Sequence, residues 1–184
     1  MYETLKRDLL RGLSGTVLEI GAGAGANLGL LNPGAEWIGL EPDRRVHDRL
    51  RVNAVRHDRK ARILDAPAEA IPLGDESVDA VVSTVVLCSV DDQEAALAEV
   101  ARVLRPGGRF VFFEHVAAPA GTPTRWLQRI WAPFSRRFDR GCDPVRDTAA
   151  AIRRAAFAQV ETRDFDMPVG LGLTVPFIAG YARR

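Results

Sequence analysis

The chain has 184 residues and a mass of 20.1 kDa, and 47% of its residues are hydrophobic, so it can form one buried core with little room for a second domain. Its 25 basic and 24 acidic residues give a net charge of +1, which provides no overall reason to expect nucleic acid or an anionic membrane as a partner. Two cysteines outside any CxxC pair exclude a disulfide framework and a cysteine-based metal knuckle, so no metal site is expected.

The N-terminus and the basic residues add to these limits. The first eight residues are too polar for a signal peptide, and no apolar run approaches the roughly 18 residues of a membrane span. We therefore expect a single domain over residues 1–184, without membrane insertion, that acts in the cytoplasm as a monomer or homodimer. Arg136, Arg137 and Arg140 form a candidate basic patch. Lysine occurs only at Lys6 and Lys60, which indicates the codon bias of a GC-rich, bacterial genome.

The first half of the chain alternates short apolar runs with helical patterns. An amphipathic helix over residues 5–13 precedes a strand over 17–20, and a glycine loop then opens a helix over 26–31. Further on, strands are predicted over 36–41 and 62–64, a helix over 43–54, and a loop over 66–73. Residues 78–86 carry a nearly unbroken β-branched run, which is typical of a strand buried on both faces at the centre of a parallel sheet.

The second half continues the alternation and then becomes irregular. Asp91 is predicted to cap a helix over residues 93–104, and a fifth strand covers 109–114. Residues 116–144 are irregular, and a helix over 148–156 and strands over 159–165 and 177–182 follow. This order predicts an α/β fold with a doubly wound, mostly parallel seven-stranded sheet and an antiparallel C-terminal strand. Ligands bind such sheets at the carboxyl ends of the strands.

The glycine loop after the first strand indicates the ligand class. Gly21, Gly23 and Gly25 remove side chains where the backbone must turn sharply and approach a ligand closely. Glu41 lies about 20 residues past the loop, at the separation where a carboxylate at the tip of a second strand accepts hydrogen bonds from two ribose hydroxyls. This layout predicts a nucleoside-binding β-α-β unit.

Glu19 distinguishes between nucleoside cofactors. It stands two residues before Gly21, where a carboxylate would repel a pyrophosphate but attract an ammonium group, directly or through water. S-adenosylmethionine carries an adenosine, an amino-acid end and a sulfonium, and no phosphate. A nicotinamide-dependent oxidoreductase is disfavoured because of Glu19 and because the chain has no Tyr-x-x-x-Lys pair. A tight turn with no ligand, or a non-catalytic cofactor-binding module, is the alternative of another class.

These residues resemble class I S-adenosylmethionine-dependent methyltransferases over nearly the whole chain. The segments that carry the resemblance, besides the glycine loop and Glu41, are residues 68–72, 79–82 and 103–108. The resemblance implies a Rossmann-like fold with S-adenosylmethionine as cofactor and S-adenosylhomocysteine as product. Its implied cofactor-binding residues are Glu19, Gly21, Ala22, Gly23, Gly25, Asn27, Glu41, Pro42, Ala68, Glu69, Ser83 and Thr84.

A narrower resemblance points to the acceptor. Residues 84–90, Glu114-His115-Val116 and Gly141-Cys142 look like the methyltransferase-like seven proteins, which are alkyl thiol S-methyltransferases of animals, and their bacterial relatives. This implies a small, partly apolar acceptor, with thiol S-methylation as the leading reaction. O-, N- or C-methylation of a phenol, quinol or lipid-like acceptor is the alternative within enzymes.

Several side chains near the predicted acceptor site have two interpretations. His115 follows the fifth strand and is the candidate catalytic base or orienting group, unless backbone hydrogen bonds hold its ring in a structural role. Glu114 is predicted to point inward and bond the neighbouring loop, and Cys88 to be a small core residue.

The irregular segment is predicted to form a substrate lid at about residues 116–147, where Cys142 and Asp143 are candidates for a direct role. Trp126, Trp131 and Phe134 are predicted either to wall an apolar pocket or to hold the lid down. His47 and His57 are predicted to face solvent.

Overall fold

The computed structural model describes residues 2–139, 141–170 and 173–184. Its helices are α1 (Tyr2–Arg11), α2 (His47–Arg56), α3 (Gln93–Val103), α4 (Pro123–Phe138) and α5 (Thr148–Arg154), with a 3-10 turn at Arg44–Val46 before α2. Its strands are β1 (Thr16–Ile20), β2 (Glu36–Leu40), β3 (Arg62–Leu64), β4 (Val78–Thr84), β5 (Leu104–His115), β6 (Gln159–Gly170) and β7 (Leu173–Arg183).

The described strands form one seven-stranded sheet in the order β3-β2-β1-β4-β5-β7-β6. Neighbouring strands from β3 to β5 pair in parallel, whereas β7 is antiparallel to both β5 and β6. The predicted mostly parallel sheet with an antiparallel C-terminal strand is therefore confirmed. The direction in which strands are added reverses between β1 and β4, so the topological switch point lies there.

Hydrophobic cores cover both faces of the sheet, because successive residues of a strand point to opposite faces. On one face, Leu18 of β1 belongs to the same buried cluster as Leu97 of α3. On the other face, its neighbour Val17 is buried in a cluster with Leu10 of α1 and Leu50 of α2. The sheet is thus doubly wound, as the alternation of strands and helices predicts.

The chain after β1 forms consecutive turns, and the helix predicted over residues 26–31 is wrong. Backbone N–H groups bond to carbonyls three residues back, at 2.9 Å both from Gly25 to Ala22 and from Leu30 to Asn27. Each glycine in a helix interior costs about 1 kcal/mol relative to alanine, and this segment is glycine-rich. The segment after β1 therefore runs along the edge of the sheet as turns instead of a helix.

Several element boundaries differ from the sequence prediction, and two of these differences concern the end of β4 and the start of α3. Strand β4 ends at Thr84, two residues early, because Val85 has a φ of 55°, a left-handed conformation that β-branched residues rarely adopt. Helix α3 is capped by Asp92 rather than Asp91, since the Asp92 side chain accepts hydrogen bonds from the N–H groups of Glu94 and Ala95 at 2.9 and 3.1 Å. Both differences lie on the side of the sheet where ligands bind.

Helix α4 occupies a segment that is predicted to be irregular. Pro123 stands in its first turn, where the missing N–H costs nothing, but Pro133 lies inside the helix and cannot donate a backbone hydrogen bond. The interior proline is the reason that the helical pattern was missed.

The aromatic side chains of α4 face solvent, so both interpretations of them are wrong. Trp126 and Trp131 are each 63% exposed and Phe134 is 57% exposed. The rings of Trp131 and Phe134 stack on one another along the helix, with their centroids 5.7 Å apart.

None of the described helices combines the length and the hydrophobicity that a membrane span requires.

Two arginines of the candidate basic patch contact different partners. Arg136 forms an ion pair with Asp143 at 2.7 Å, and Arg137 lies over the ring of Phe138. Arg140 lies outside the described residues.

Asp79 ties the start of β1 to the start of β5. Its carboxylate accepts hydrogen bonds from the Thr16 N–H at 2.7 Å and from the Arg105 guanidinium at 2.6 Å. The bond from Thr16 and the bond from Arg105 lower the pKa of Asp79 below its usual value of 3.8. The carboxylate therefore helps to hold two neighbouring elements of the sheet in place.

Candidate active site

A cavity of about 300 Å³ opens at the carboxyl ends of β1, β2 and β4, where ligands bind in sheets of this kind. The described residues that line it are Gly21, Leu40, Glu41, Pro42, Asp43, Arg45, Ala66, Ala68, Val85, Val86, Ser89 and Val90. Four of the predicted cofactor-binding residues therefore lie at its wall, namely Gly21, Glu41, Pro42 and Ala68. A larger cavity of about 600 Å³ lies at the opposite edge of the sheet, around the first residues of β2 and β3.

The glycine loop has the close backbone approach that its sequence predicts. Gly21 has a φ of 59°, and a Cβ atom there would lie 2.5 Å from a methyl group of Val86. Gly25 has a φ of 85°, and a Cβ there would lie 2.4 Å from Leu28. The Ala22 N–H donates to the last carbonyl of β2 at 3.1 Å, which fixes the loop to that strand. Side chains at these glycines would clash and strain the backbone.

Glu41 joins the loop to the tip of β2. Its carboxylate is buried and accepts hydrogen bonds from the Gly23 N–H at 2.8 Å and from the Asp43 N–H at 2.9 Å. Each carboxylate oxygen has about two lone-pair sites, so one acceptor site per oxygen remains at the cavity wall. This arrangement is compatible with two ribose hydroxyls, and the role of Glu41 stays a prediction.

Glu19 lies beneath the loop and is not among the described residues that line the cavity. Its two oxygens accept hydrogen bonds from Asn27 Nδ2 at 2.7 Å and from Trp37 Nε1 at 2.9 Å, and burial raises its pKa. Asn27 Nδ2 also donates to Thr84 Oγ1 at 3.1 Å, so Asn27 connects the loop to β4. Asn27 Oδ1 is buried without a hydrogen-bond partner in the described part of the chain.

Glu69 and Ser83 point to other parts of the structure. Glu69 Oε1 accepts hydrogen bonds from the N–H groups of Asp91 and Asp92, at 2.7 and 3.2 Å, so this carboxylate contacts the start of α3. The Ser83 hydroxyl is fully buried and donates to Glu114 at 2.5 Å. Neither is among the described residues that line the cavity, and any contact with a cofactor through their backbone stays a prediction.

Glu114 holds the loop that follows β4. Its carboxylate is completely buried and accepts hydrogen bonds from the N–H groups of Val86 and Leu87, at 3.1 Å each, in addition to the bond from Ser83. Burial raises the pKa of Glu114 to about 7, although these hydrogen bonds favour its charged form. The prediction that Glu114 points inward and bonds the neighbouring loop is confirmed. Through Val86 it also positions one wall of the cavity.

His115 lies in a buried cluster with the two cysteines. A ring nitrogen of His115 and the sulfur atoms of Cys88 and Cys142 all lie within 4.8 Å of one another. Cys88 is fully buried, as predicted, and its sulfur lies 3.5 Å from the hydroxyl of Ser89, which lines the cavity. The cluster is thus one residue away from the cavity wall.

The neighbours of His115 give no support to a structural role through backbone bonds. Its Nε2 faces the Gln128 amide at 3.4 Å, and its Nδ1 is buried without a hydrogen-bond partner in the part of the chain that is described. The edge of its ring packs on Phe177. The pKa of Cys142 is lowered by the Cys88 thiol and by His115. The pKa of Cys88 is raised by its hydrogen bond with Cys142 and by burial.

The two remaining histidines differ in exposure. His47 is buried, and its Nε2 lies 2.8 Å from the Glu41 carbonyl oxygen, so its predicted solvent exposure is wrong. His57 is exposed, as predicted. His47 therefore supports the segment that carries Glu41.

Comparison with known proteins identifies the family. A methyltransferase domain family matches residues 18–112. The human thiol S-methyltransferases TMT1A and TMT1B are 37% and 35% identical to the chain, over 91% and 98% of its length and 70% and 78% of theirs. The chain belongs to this methyltransferase family.

Solved structures agree with the fold of this methyltransferase. The YcgJ protein of Bacillus subtilis matches with a TM-score of 0.74 at 18% identity, over 99% of this chain and 96% of its own. The geranyl diphosphate C-methyltransferase of Streptomyces coelicolor, solved with S-adenosyl-L-homocysteine, matches with a TM-score of 0.73 at 18% identity, over 99% of this chain and 80% of its own.

The cavity of this methyltransferase is compatible with S-adenosylmethionine, the cofactor that the sequence predicts. Gly21 lines the cavity with bare backbone, and Glu41 retains acceptor sites for hydroxyl groups. The unpaired oxygen of Asn27 offers a buried acceptor beside the loop.

Part of the cavity wall lies outside the predicted site residues. Val85, Val86, Ser89 and Val90 line the cavity, and all follow the end of β4. The signal for them was present, since ligands bind where buried parallel strands end. Val85 marks the place most clearly, because a β-branched residue with a φ of 55° is strained and such residues cluster at functional sites.

Proposed function

We propose that this methyltransferase transfers the methyl group of S-adenosylmethionine to the sulfur atom of small, partly apolar thiols. The observation that carries the proposal is the identity of 35–37% to thiol S-methyltransferases over nine-tenths or more of the chain. The position of the cavity supports it, because the wall that leads from the nucleoside loop ends at Ser89, beside the buried cluster of Cys88, His115 and Cys142.

Thiols suit a site with little acid–base machinery. The cofactor supplies an activated carbon, so the protein has to position the acceptor, exclude water and favour the ionised nucleophile. A thiol with a pKa near 8.5 is about one-tenth ionised at pH 7.5, whereas a phenol with a pKa near 10 is ionised to less than about 1%. A thiol acceptor therefore needs the least help from the protein.

Residues at different positions in the site would have different roles. Glu41 and the glycine loop would hold the ribose, the backbone at Ala68 the adenine, and Asn27 the amino-acid end of the cofactor. Glu114 fixes the loop after β4, which lines the cavity on one side and carries Cys88 of the cluster on the other. His115 is the candidate catalytic residue at the acceptor.

An acceptor screen tests this proposal. The full chain is incubated with S-adenosylmethionine and matched pairs of alkyl thiols and alkyl alcohols of equal length, together with phenols, quinols and amines, and the release of S-adenosylhomocysteine is measured. We expect turnover with alkyl thiols and none with the paired alcohols. Faster turnover of a phenol, quinol or amine would contradict S-methylation. Cofactor binding without turnover of any acceptor would favour a non-catalytic module.

We further propose that the protein acts in the cytoplasm of a bacterium as a monomer or homodimer, and that residues 116–147 form a lid over the acceptor. The arginine bias supports the bacterial source. The lid is supported by Asp143, whose N–H donates to the Cys88 carbonyl at 2.9 Å and so ties the segment to the loop after β4. Light scattering and limited proteolysis with and without S-adenosylhomocysteine test the oligomeric state and the lid.

A further inference from the structure

Three metal-ligating side chains from distant parts of the chain meet in one buried cluster. Cys88 follows β4, His115 ends β5 and Cys142 follows α4. All three side chains are at least nine-tenths buried, and their ligand atoms lie within 4.8 Å of one another. Two soft sulfur donors and one imidazole are the ligand types that zinc prefers in proteins.

The spacing of the donor atoms fits a tetrahedral ion. With zinc–sulfur bonds of about 2.3 Å and zinc–nitrogen bonds of about 2.0–2.1 Å, ligand atoms in a tetrahedral site lie about 3.5–3.8 Å apart. The observed upper limit of 4.8 Å exceeds this separation by about 1 Å, which side-chain rotation can supply.

A second observation comes from the imidazole itself. His115 is 7% exposed, and its Nδ1 atom has no hydrogen-bond partner in the described part of the chain. An unpaired polar atom in a buried position is costly, and in native structures it is often explained by a water or an ion. A ligand within the cluster would supply the missing partner.

The two acidic groups adjacent to the cluster in sequence, Glu114 and Asp143, are already engaged. Glu114 accepts hydrogen bonds from Ser83, Val86 and Leu87. Asp143 contacts Arg136 at 2.7 Å and accepts the Val145 N–H at 3.1 Å. The charge of a divalent ion would therefore be balanced by the two cysteine sulfurs as thiolates.

We propose that Cys88, His115 and Cys142 bind a zinc ion through three protein ligands. The site goes beyond methyl transfer, because the ion would link the loop after β4, the end of β5 and the segment after α4 at one point. Three ligands leave the fourth tetrahedral position open to water or a small ligand. With zinc bound, His115 would be a ligand, and in the metal-free chain it stays the candidate base or orienting group at the acceptor.

Metal titration of the reduced full chain tests the site without reference to activity. After removal of metal with a chelator, zinc is titrated in competition with a chromophoric chelator, and cobalt is added separately as a spectroscopic probe. We expect one equivalent of zinc and a thiolate-to-cobalt charge-transfer absorption typical of tetrahedral coordination. Failure of the reduced chain to bind zinc or cobalt would overturn this inference, and it would leave the proposed function intact if the chain still methylates thiols.

Matched variants localise the ion. Cys142→Ser and His115→Asn are each expected to weaken zinc binding at least about tenfold, while His57→Asn, at an exposed histidine, is expected to leave the affinity unchanged. Thermal melting of each variant shows whether it is folded. The cobalt spectrum of the wild-type chain tests the site even if a variant does not fold. Binding that is unchanged in Cys142→Ser would overturn the proposal, and so would a disulfide between the two cysteines in the wild-type protein.

Discussion

The substitution Glu41→Ala tests the nucleoside site most directly. In the structure this carboxylate is buried, accepts the N–H groups of Gly23 and Asp43, and retains acceptor sites at the cavity wall. The alanine variant removes the acceptors for the ribose hydroxyls and also releases the glycine loop from the tip of β2. Both effects act on cofactor binding.

The magnitude follows from the number of bonds lost. A hydrogen bond to a charged group contributes about 1.5–3 kcal/mol, and each 1.4 kcal/mol is a factor of ten in affinity. Water can enter the open cavity and replace part of the lost interaction, so we count one net bond rather than two. The expected loss of affinity for S-adenosylhomocysteine is therefore about 10- to 100-fold.

Isothermal titration calorimetry with S-adenosylhomocysteine measures this loss, and urea unfolding shows whether the variant is folded. The matched control is Glu36→Ala, since Glu36 lies at the opposite end of the same strand and is exposed. We expect the control to bind within about twofold of wild type. An alanine variant at Glu41 that is folded and also binds within twofold would refute the assignment of this carboxylate to the ribose.

Three further predictions follow from single side chains. His115→Ala should lower kcat with thiols by at least about tenfold while the calorimetric affinity for S-adenosylhomocysteine stays within threefold; unchanged turnover would remove His115 from the mechanism. The pKa of Asp79 is lowered in the folded state, so its carboxylate stabilises the fold above its ordinary pKa of 3.8, and this stabilisation is lost as the pH falls through the lower native value. Asp79→Asn should therefore cost about 0.5–1 kcal/mol at pH 7, and urea unfolding in acid should show this difference shrinking; an equal difference at every pH would contradict the charge argument. Gly21→Ala should destabilise the fold by about 1–3 kcal/mol and abolish measurable cofactor binding, because its Cβ would lie 2.5 Å from Val86. Gly74→Ala has open space and should show neither effect.

The sequence by itself determined the sheet and the kind of ligand. The β-branched run of β4 and the alternation of strands with helices are local patterns, and each reports burial on one or both faces of a strand. The spacing of Gly21, Gly23 and Gly25 likewise reports a local need for positive φ angles, which the structure has at all three. Glu41 could be placed because it follows the second strand, about 20 residues past the glycine loop.

The tertiary structure decided which residues from distant parts of the sequence lie close together. His47 stands in a segment whose sequence looks polar, yet its ring is buried because it packs against the carbonyl oxygen of Glu41. Helix α4 forms in spite of Pro133, and its aromatic side chains face outward. No local pattern places Cys88, His115 and Cys142 together, because they meet only when the carboxyl ends of β4 and β5 and the segment after α4 converge at one edge of the sheet. Such contacts depend on the packing of elements distant in sequence, which residue spacing along the chain does not encode.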